Sequence, residues 1–384
     1  MNLWELTAPC HFGTEAVLKR EILDLGYEVI KVEDGRVTFE ADAQGVADAN
    51  LFLRTTERVL LKVGEVKAET FDELFEKTKA LPWENYIPKN GKFWVAKANS
   101  IKSKLFSPSD IQSIMKKAIV ERLKGIYGIS WFPEDGPEFP IRVAFMKDVA
   151  LIGIDTSGVS LHKRGYRIKD VAAPIKETLA AAMVQLSFWK EGRILVDPCC
   201  GSGTIPIEAA LIGRNIATGL NRSFACEDWE FIDKNLWKEE KRAAFQAIRY
   251  DEKLDITGMD IDPKAVAAAK QNAEEAGVED CIHFRRADAA KLHAQGQNGI
   301  LITNPPYGER LEEKEALPKL YREIGEAFAG LDSWSEYLIT SYEETERCIG
   351  KKADKKRKIY NGMLRTNLYQ YIGPKPPKKK RPEA

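Results

Sequence analysis

The chain has 384 residues, with 58 basic and 58 acidic side chains, 44% hydrophobic and 30% charged residues. At roughly 150 residues per domain, that length implies two or three domains with an ample core, and the balance excludes a disordered polyelectrolyte. No apolar run approaches the roughly 20 residues that span a bilayer, and 1–13 lacks a basic stretch followed by an apolar one, so neither a membrane partner nor a secretory leader is expected.

Residues 3–7 read as a strand. Val17, Leu18, Ile22 and Leu25 recur at helical spacing over 14–25, which stops at Gly26. Alternating segments at 28–32 and 36–40 flank Asp34-Gly35, a tight-hairpin dipeptide. A helix over 46–53 and a strand over 59–66 complete β-α-β-β-α-β, the split motif of a ferredoxin-like domain over 1–66. A second α/β domain is expected over 67–157. It holds a helix over 70–80 capped by Thr70 with Glu73 three residues on, and a strand over 92–98. A helix opened by Ser107-Pro108 and strands over 138–145 and 149–156 follow. A linker spans 158–172. Strands at 193–197, 255–260, 282–286, 299–303 and 336–340 then alternate with helices over 173–373, as in a doubly wound, mostly parallel α/β sheet. Segments 358–361 and 367–372 would close that sheet as a hairpin, and the Pro/Lys-rich 374–384 is expected to be a disordered basic tail.

The six cysteines (Cys10, Cys199, Cys200, Cys226, Cys281, Cys348) are scattered, and the four histidines form no HExxH pattern. No metal site is expected, and free thiols fit a reducing cytoplasm. Charge is uneven along the chain. Residues 89–131 hold nine basic and two acidic residues, and 355–382 hold ten basic residues and no acid. Such stretches bind polyanions or simply form a solvated surface.

Four strand ends carry the chemistry. Asp197-Pro198-Cys199-Cys200-Gly201-Ser202-Gly203-Thr204 follows the first strand of the large domain. Gly201 and Gly203 let the backbone approach a ligand, and Asp197 can accept from a ligand amine. The third glycine of a nicotinamide loop is missing, and no Gly-Lys-Ser/Thr of a P-loop follows. Asp260 ends the next strand, where an acid can hold ribose hydroxyls, whereas Asp262, before Pro263, reads as a helix N-cap. Asp288 after the third strand could take an adenine amine or cap a turn. Asn304-Pro305-Pro306-Tyr307 ends the fourth. Two prolines make this backbone rigid and extended. The Asn304 side-chain carbonyl and the Pro305 backbone carbonyl can then accept both hydrogens of one exocyclic NH₂, while Tyr307 offers a stacking face worth roughly 1–3 kcal/mol. That arrangement orients a weakly nucleophilic amine toward an activated methyl donor.

In this order, DPCCGSGT, GMDID, RRADA and NPPYGER resemble a class I S-adenosylmethionine-dependent methyltransferase of the amino-methylating type. Lys176-Glu177-Thr178-Leu179 resembles the segment packed over the cofactor's methionine, and 67–157 with its exit through His162-Lys163-Arg164-Gly165-Tyr166-Arg167 resembles a THUMP RNA-binding domain. Nearly the whole chain is similar to RlmL-type guanine-N2 methyltransferases of 23S ribosomal RNA, in the form without a second fused methyltransferase. The resemblance implies a seven-stranded Rossmann-like catalytic domain, S-adenosylmethionine as cofactor and structured RNA as partner. Ribosomal RNA is favoured, and related tRNA guanine-N2 enzymes share the domain order. A DNA adenine-N6 enzyme and an idle RNA-binding factor are the other readings, since the NPPY motif alone does not separate the two amines. The oligomeric state stays open. Asn304, Pro305 and Tyr307 are the expected catalytic residues. Asp197, Cys199, Gly201, Gly203, Thr204, Asp260, Asp288, Asn304 and Thr178 are expected at the cofactor. Lys97, Lys102, Lys104, Lys116, Lys117, Lys163, Arg164 and Arg167 are expected at RNA. Phe224, Trp229, Phe231, Trp237, Phe245 and Tyr250 crowd an insertion at 215–254, where a local helical core is favoured over a pocket lining.

Overall fold

The computed structural model describes residues 3–169, 174–293, 296–308, 311–362 and 364–375, with backbone alone for 311–314. The expected ends of the linker and the basic tail (170–173 and 376–384), and Glu309 and Arg310 of the fourth motif, lie outside the described residues. The chain divides into two compact units that do not follow sequence order. The first takes the chain through Pro9, Lys19–Leu161 and Arg222–Ala243. The second takes Cys10–Leu18, His162–Asn221 and the chain from Ala244 onward.

The first unit is built from β1 (Trp4–Pro9), α1 (Glu15–Asp24, begun in the second unit), β2 (Glu28–Glu33), β3 (Arg36–Ala41), α2 (Ala43–Phe52), β4 (Leu60–Lys67), α3 (Phe71–Lys79), β5 (Lys92–Ile101), α4 (Pro108–Tyr127), β6 (Glu138–Met146) and β7 (Val149–Asp155). One seven-stranded sheet holds all of these strands, in the order β2-β3-β1-β4-β7-β6-β5. Only β5 and β6 run parallel. The β2-β3-β1-β4 portion is the ferredoxin-like arrangement, and Asp34-Gly35 makes the two-residue turn between β2 and β3, with Gly35 at φ 75°. Strand β4 pairs with both β1 and β7, so the two α/β regions expected as separate domains share one continuous sheet. Thr70 caps α3 by accepting from Glu73 N–H, and the Glu73 carboxylate accepts from Glu69 N–H.

The second unit follows with α5 (Glu177–Leu186), β8 (Leu195–Asp197), α6 (Thr204–Gly213), α7 (Lys234–Gln246, begun in the first unit), β9 (Ile256–Asp260), α8 (Pro263–Glu275), β10 (Ile282–Arg286), β11 (Ile300–Thr303), α9 (Leu311–Ala329), β12 (Ser335–Thr340), α10 (Thr345–Ile349), β13 (Lys355–Asn361) and β14 (Leu364–Tyr371). Its sheet runs β10-β9-β8-β11-β12-β14-β13. The first five strands are parallel, and β14 and β13 add antiparallel at one edge. Leu301, Ile302, Leu338 and Ile339 are fully buried, which suits central strands covered on both faces. Strand order reverses between β8 and β11, and such a switch point opens a crevice at the strands' carboxyl ends. Among the described residues no helix is long and apolar enough to cross a membrane.

Candidate active site

Four neighbouring strands, β10, β9, β8 and β11, deliver the four motifs to one end of the second sheet. After β8 the chain turns through 198–203 into α6. Cys200 N–H donates to Met259 O at 2.7 Å and Gly203 N–H to Cys200 O at 2.8 Å, which ties the loop to β9 and to itself. Gly203 sits at φ +85°, and a Cβ there would lie 2.9 Å from Ala269 Cβ and 3.0 Å from the Phe284 ring. Helix α8 and strand β10 therefore demand this glycine from below. Asp260 sets the loop from the side: its Oδ2 accepts Gly201 N–H at 3.0 Å and its Oδ1 accepts Asp262 N–H at 2.9 Å. Asp262 caps α8 by accepting Lys264 N–H at 2.8 Å, as its place before Pro263 predicts. Asp197 is buried, and its Oδ1 accepts Cys199 N–H at 3.1 Å. Burial pushes its carboxyl up to about 7, and the Asp260 charge pushes the same way. Burial also raises the Cys199 thiol far above its ordinary value, so it stays protonated.

At the end of β11, Asn304 is half-buried, Pro305 is buried and Pro306 is exposed. Tyr307 Oη donates to Asn304 Oδ1. The turn is propped from α9 and β12: Tyr321 Oη donates to Pro306 O at 3.2 Å and lies 2.6 Å from Thr340 Oγ1. Two residues with no obvious motif thus hold the site. Tyr321 is one, and Asn272 of α8 is the other. The buried Asn272 Nδ2 donates to Lys169 O (2.9 Å) and Ser202 O (3.0 Å), and its Oδ1 accepts Ile168 N–H and Lys169 N–H. Its only trace in the sequence is an amide on the apolar face of a helix.

Several of the expected site residues also have partners within the chain. Thr178 is 0% exposed, and its hydroxyl lies 3.2 Å from Nε2 of His11. His11 Nδ1 in turn donates to Tyr360 O at 2.9 Å. Thr204 is buried, and its hydroxyl accepts from Arg167 at 3.0 Å. Arg167 also donates to Ile175 O (2.8 Å) and pairs with Glu177 at 3.3 Å. Arg164 is buried against Glu208, which also accepts from Tyr166. Thr178, Thr204, Arg164 and Arg167 thus have partners within the second unit: Arg164 is buried on the Glu208 carboxylate and Arg167 is half-buried beside Glu177. Lys116 donates to Phe93 O and lies 3.7 Å from the Phe93 ring centroid, so it too is spent on packing. Asp288 caps a short turn through Ala290 N–H at 3.0 Å, the second of its two expected roles. Lys97, Lys102, Lys104, Lys117 and Lys163 are exposed, with Lys104 paired to Glu69. Of the insertion's aromatics, Phe224 stacks on Trp237 (5.4 Å, 28°) and Trp229 on Phe139 (5.0 Å, 18°), all within the first unit. These are core contacts, but Trp229 packs on β6 rather than within a local helical core. Phe245 and Tyr250 are exposed.

Residues 164–370 match the family model of the RMKL-like methyltransferase domain. The chain belongs to the RMKL-like methyltransferase family. Ahead of that domain it matches the RlmL ferredoxin-like domain over 5–60 and the THUMP domain over 68–155. It is 50% identical to a Bacillus subtilis protein provisionally named as the RNA methyltransferase YpsC, over the full length of both. It is 32% identical to ribosomal RNA large subunit methyltransferase K/L of Syntrophotalea carbinolica over 94% of this chain, and spans about half (52%) of that longer protein. A solved structure, SMU.472, provisionally assigned as a methyltransferase and complexed with SAH, shares 46% identity with a TM-score of 0.91, covering 98% of this chain and all of that one.

S-adenosylmethionine is the cofactor of RMKL-like methyltransferases, and the residues present fit it. Asp197 and Asp260 accept backbone N–H groups of the glycine loop and the Asp288 charge acts on Cys199 in it, a set that suits ribose hydroxyls and a cationic sulfonium rather than a phosphate. Both Asp260 oxygens keep a lone pair beyond the backbone N–H each accepts.

Proposed function

We propose that the chain transfers a methyl group from S-adenosylmethionine to the exocyclic N2 of a guanine in structured RNA, with 23S ribosomal RNA favoured over tRNA. One observation carries this reading: the Asn304–Tyr307 turn ends β11, directly beside β8, whose end carries the glycine loop. An amine acceptor and a cofactor loop therefore share the switch-point crevice. The THUMP match and the names of the relatives support RNA as the acceptor.

Asp260 would hold the ribose, with Gly201 and Gly203 giving the cofactor close passage over the loop. The bound cofactor supplies an already activated methyl group on sulfur. Every other task falls to positioning. The target guanine leaves its stack, because an N2 amine paired within a duplex cannot present both hydrogens to Asn304 and Pro305. Its NH₂ takes the place of the Tyr307 hydroxyl at Asn304 Oδ1, and Pro305 O accepts the second hydrogen. Tyr307, released, lies flat against the base. With both hydrogens held by Asn304 and Pro305, the N2 lone pair would be left free to take the methyl group from sulfur, and the N2 proton would pass to solvent.

The test is transfer of labelled methyl to unmodified large-subunit RNA and to tRNA, followed by nucleoside digestion and mass spectrometry. N2-methylguanosine in the ribosomal RNA is the expected product. In tRNA alone it would move the substrate, and N6-methyladenosine would overturn the assignment of the base.

A further inference from the structure

One stretch of the 215–254 insertion lines open grooves as well as a core. Trp229 is anchored on β6, its ring stacked on Phe139 at 5.0 Å and its indole N–H donating to Glu138 O at 2.9 Å. Ile232 N–H donates back to Trp229 O at 3.0 Å, and Asp233 opens α7 by accepting Asn235 N–H at 2.9 Å. The chain between these fixed points has a set course. A groove of about 860 Å³ runs along 228–234 and the 135–137 turn. A second, of about 610 Å³, lies between Trp4 and the starts of α2 and α7. Phe231 and Asp233 line both, so the two grooves meet there. All of these residues belong to the first unit.

The floor is aromatic. Half-buried Phe231 lies edge-on to Trp4 (5.4 Å, 65°) and 5.5 Å from the Trp229 ring. The rim is acidic. Asp135, Asp228, Glu230 and Asp233 line the first groove, and Asp42, Asp233 and Glu239 the second. The one base in either lining, Lys234, is taken by Asp228 at 3.6 Å. Asp42 and Asp233 accept backbone N–H groups at helix starts. Asp135, Glu230 and Glu239 are exposed and pair with no cation among the described residues. The acidity continues past the second groove. Gln44, in its lining, donates to Asp48 at 3.3 Å, and burial raises the Asp48 carboxyl to about 6, with Glu240 of α7 pushing the same way. In a chain of zero net charge, this is a local negative excess beside exposed aromatic surface, and it repels phosphates.

We propose that the joined grooves bind an extended, arginine-rich segment of a partner protein, with guanidinium groups stacked on Phe231 and paired with Glu230 and Glu239. A planar guanidinium meets both demands, because it stacks on an aromatic face and pairs with a carboxylate through its edge. Pockets for drug-sized ligands run to roughly 300–1,000 Å³, so the two grooves together have room for a segment of several residues. Their walls are fixed by Trp229 and the start of α7 before any partner arrives, which limits the ordering cost of binding. Binding there needs neither methyl donor nor RNA.

The experiment is fluorescence anisotropy of the full chain with a labelled ten-residue peptide of alternating arginine and glycine, at low salt. Saturable binding is expected, weaker by several-fold when lysine replaces arginine. Glu230→Gln with Glu239→Gln should weaken it about 10-fold, the effect of two exposed ion pairs, while the thermal unfolding midpoint stays unchanged because neither group is buried or paired. Equal affinity in that variant overturns the proposal, as does equal binding of a glutamine-glycine peptide. Displacement of the peptide by spermidine at equal charge concentration would make this a polyamine site and overturn the protein partner. Binding seen only after Lys378, Lys379, Lys380 and Arg381 are changed to glutamine would do the same, since the chain's own basic tail would then be the occupant.

Discussion

Asn304 is held in a waiting arrangement, its carbonyl already engaged by the Tyr307 hydroxyl. Replacing it with alanine removes an acceptor needed only when the target amine is in place. Asn304→Ala should therefore lower kcat about 100-fold or more while calorimetric cofactor affinity stays within a few-fold. Undiminished turnover would exclude Asn304 from catalysis. The motif was legible because two prolines and a tyrosine after a buried strand have few other uses. The Tyr307–Asn304 bond was not, because it depends on side-chain rotation that residue order does not encode. Glu336 gave no signal either. It is buried on β12, and burial pushes its carboxyl up to about 7 from 4.5, with Lys351 opposing. The folded chain then keeps a proton that the unfolded chain has released between those values. This contribution to stability is fully present below about pH 4.5 and is lost as pH rises through 7, roughly 3 kcal/mol in all. Glu336→Gln should reduce the pH dependence of thermal stability across that window, the remainder coming from the buried Asp197, whose carboxyl is likewise raised to about 7. A variant with the wild-type pH profile would show that the titrating group lies elsewhere.

Strands and helices were more legible than single contacts, since period and turn residues are local. The strand expected over 282–286 coincides with β10 at both ends. What locality could not show is which surface an element packs on. The 215–254 insertion reads as a helical core, yet much of that core is supplied by the first unit: Trp229 stacks on Phe139, and its indole N–H donates to Glu138 O at 2.9 Å. Trp229→Ala should cost about 3–5 kcal/mol, the range for a buried aromatic, seen as a lower urea midpoint. Asn272 likewise joins α8 to the linker and to the glycine loop through four backbone groups. Asn272→Ala leaves them unpaired. A loss of about 2–4 kcal/mol is expected, together with weaker cofactor binding in calorimetry. Unaltered cofactor affinity would limit Asn272 to a role in folding.

Across the whole molecule, a net charge of zero conceals sorting by position. Half-buried Lys116 and buried Arg164 are consumed internally, whereas Lys97, Lys102, Lys117 and Lys163 face outward. RNA affinity should therefore fall steeply with salt, roughly one logarithmic step of slope per phosphate engaged. A flat titration would mean that phosphates are not what these lysines meet. Charge runs were visible in the sequence; their division into structural and exposed groups needed burial. Contiguous domain bounds also miss the exchange of segments between units, because a reading from residue order assigns each stretch to its neighbours.

That exchange has a consequence for synthesis. A nascent chain that has emerged only to Leu161 holds every strand of its first sheet but not Trp229, so Phe139 lacks the ring that covers it. The N-terminal half cannot finish until Ala243 has left the ribosome, when the glycine loop is already out and β9 is about to follow. Completion of the front of this protein is thereby timed to the arrival of its catalytic half.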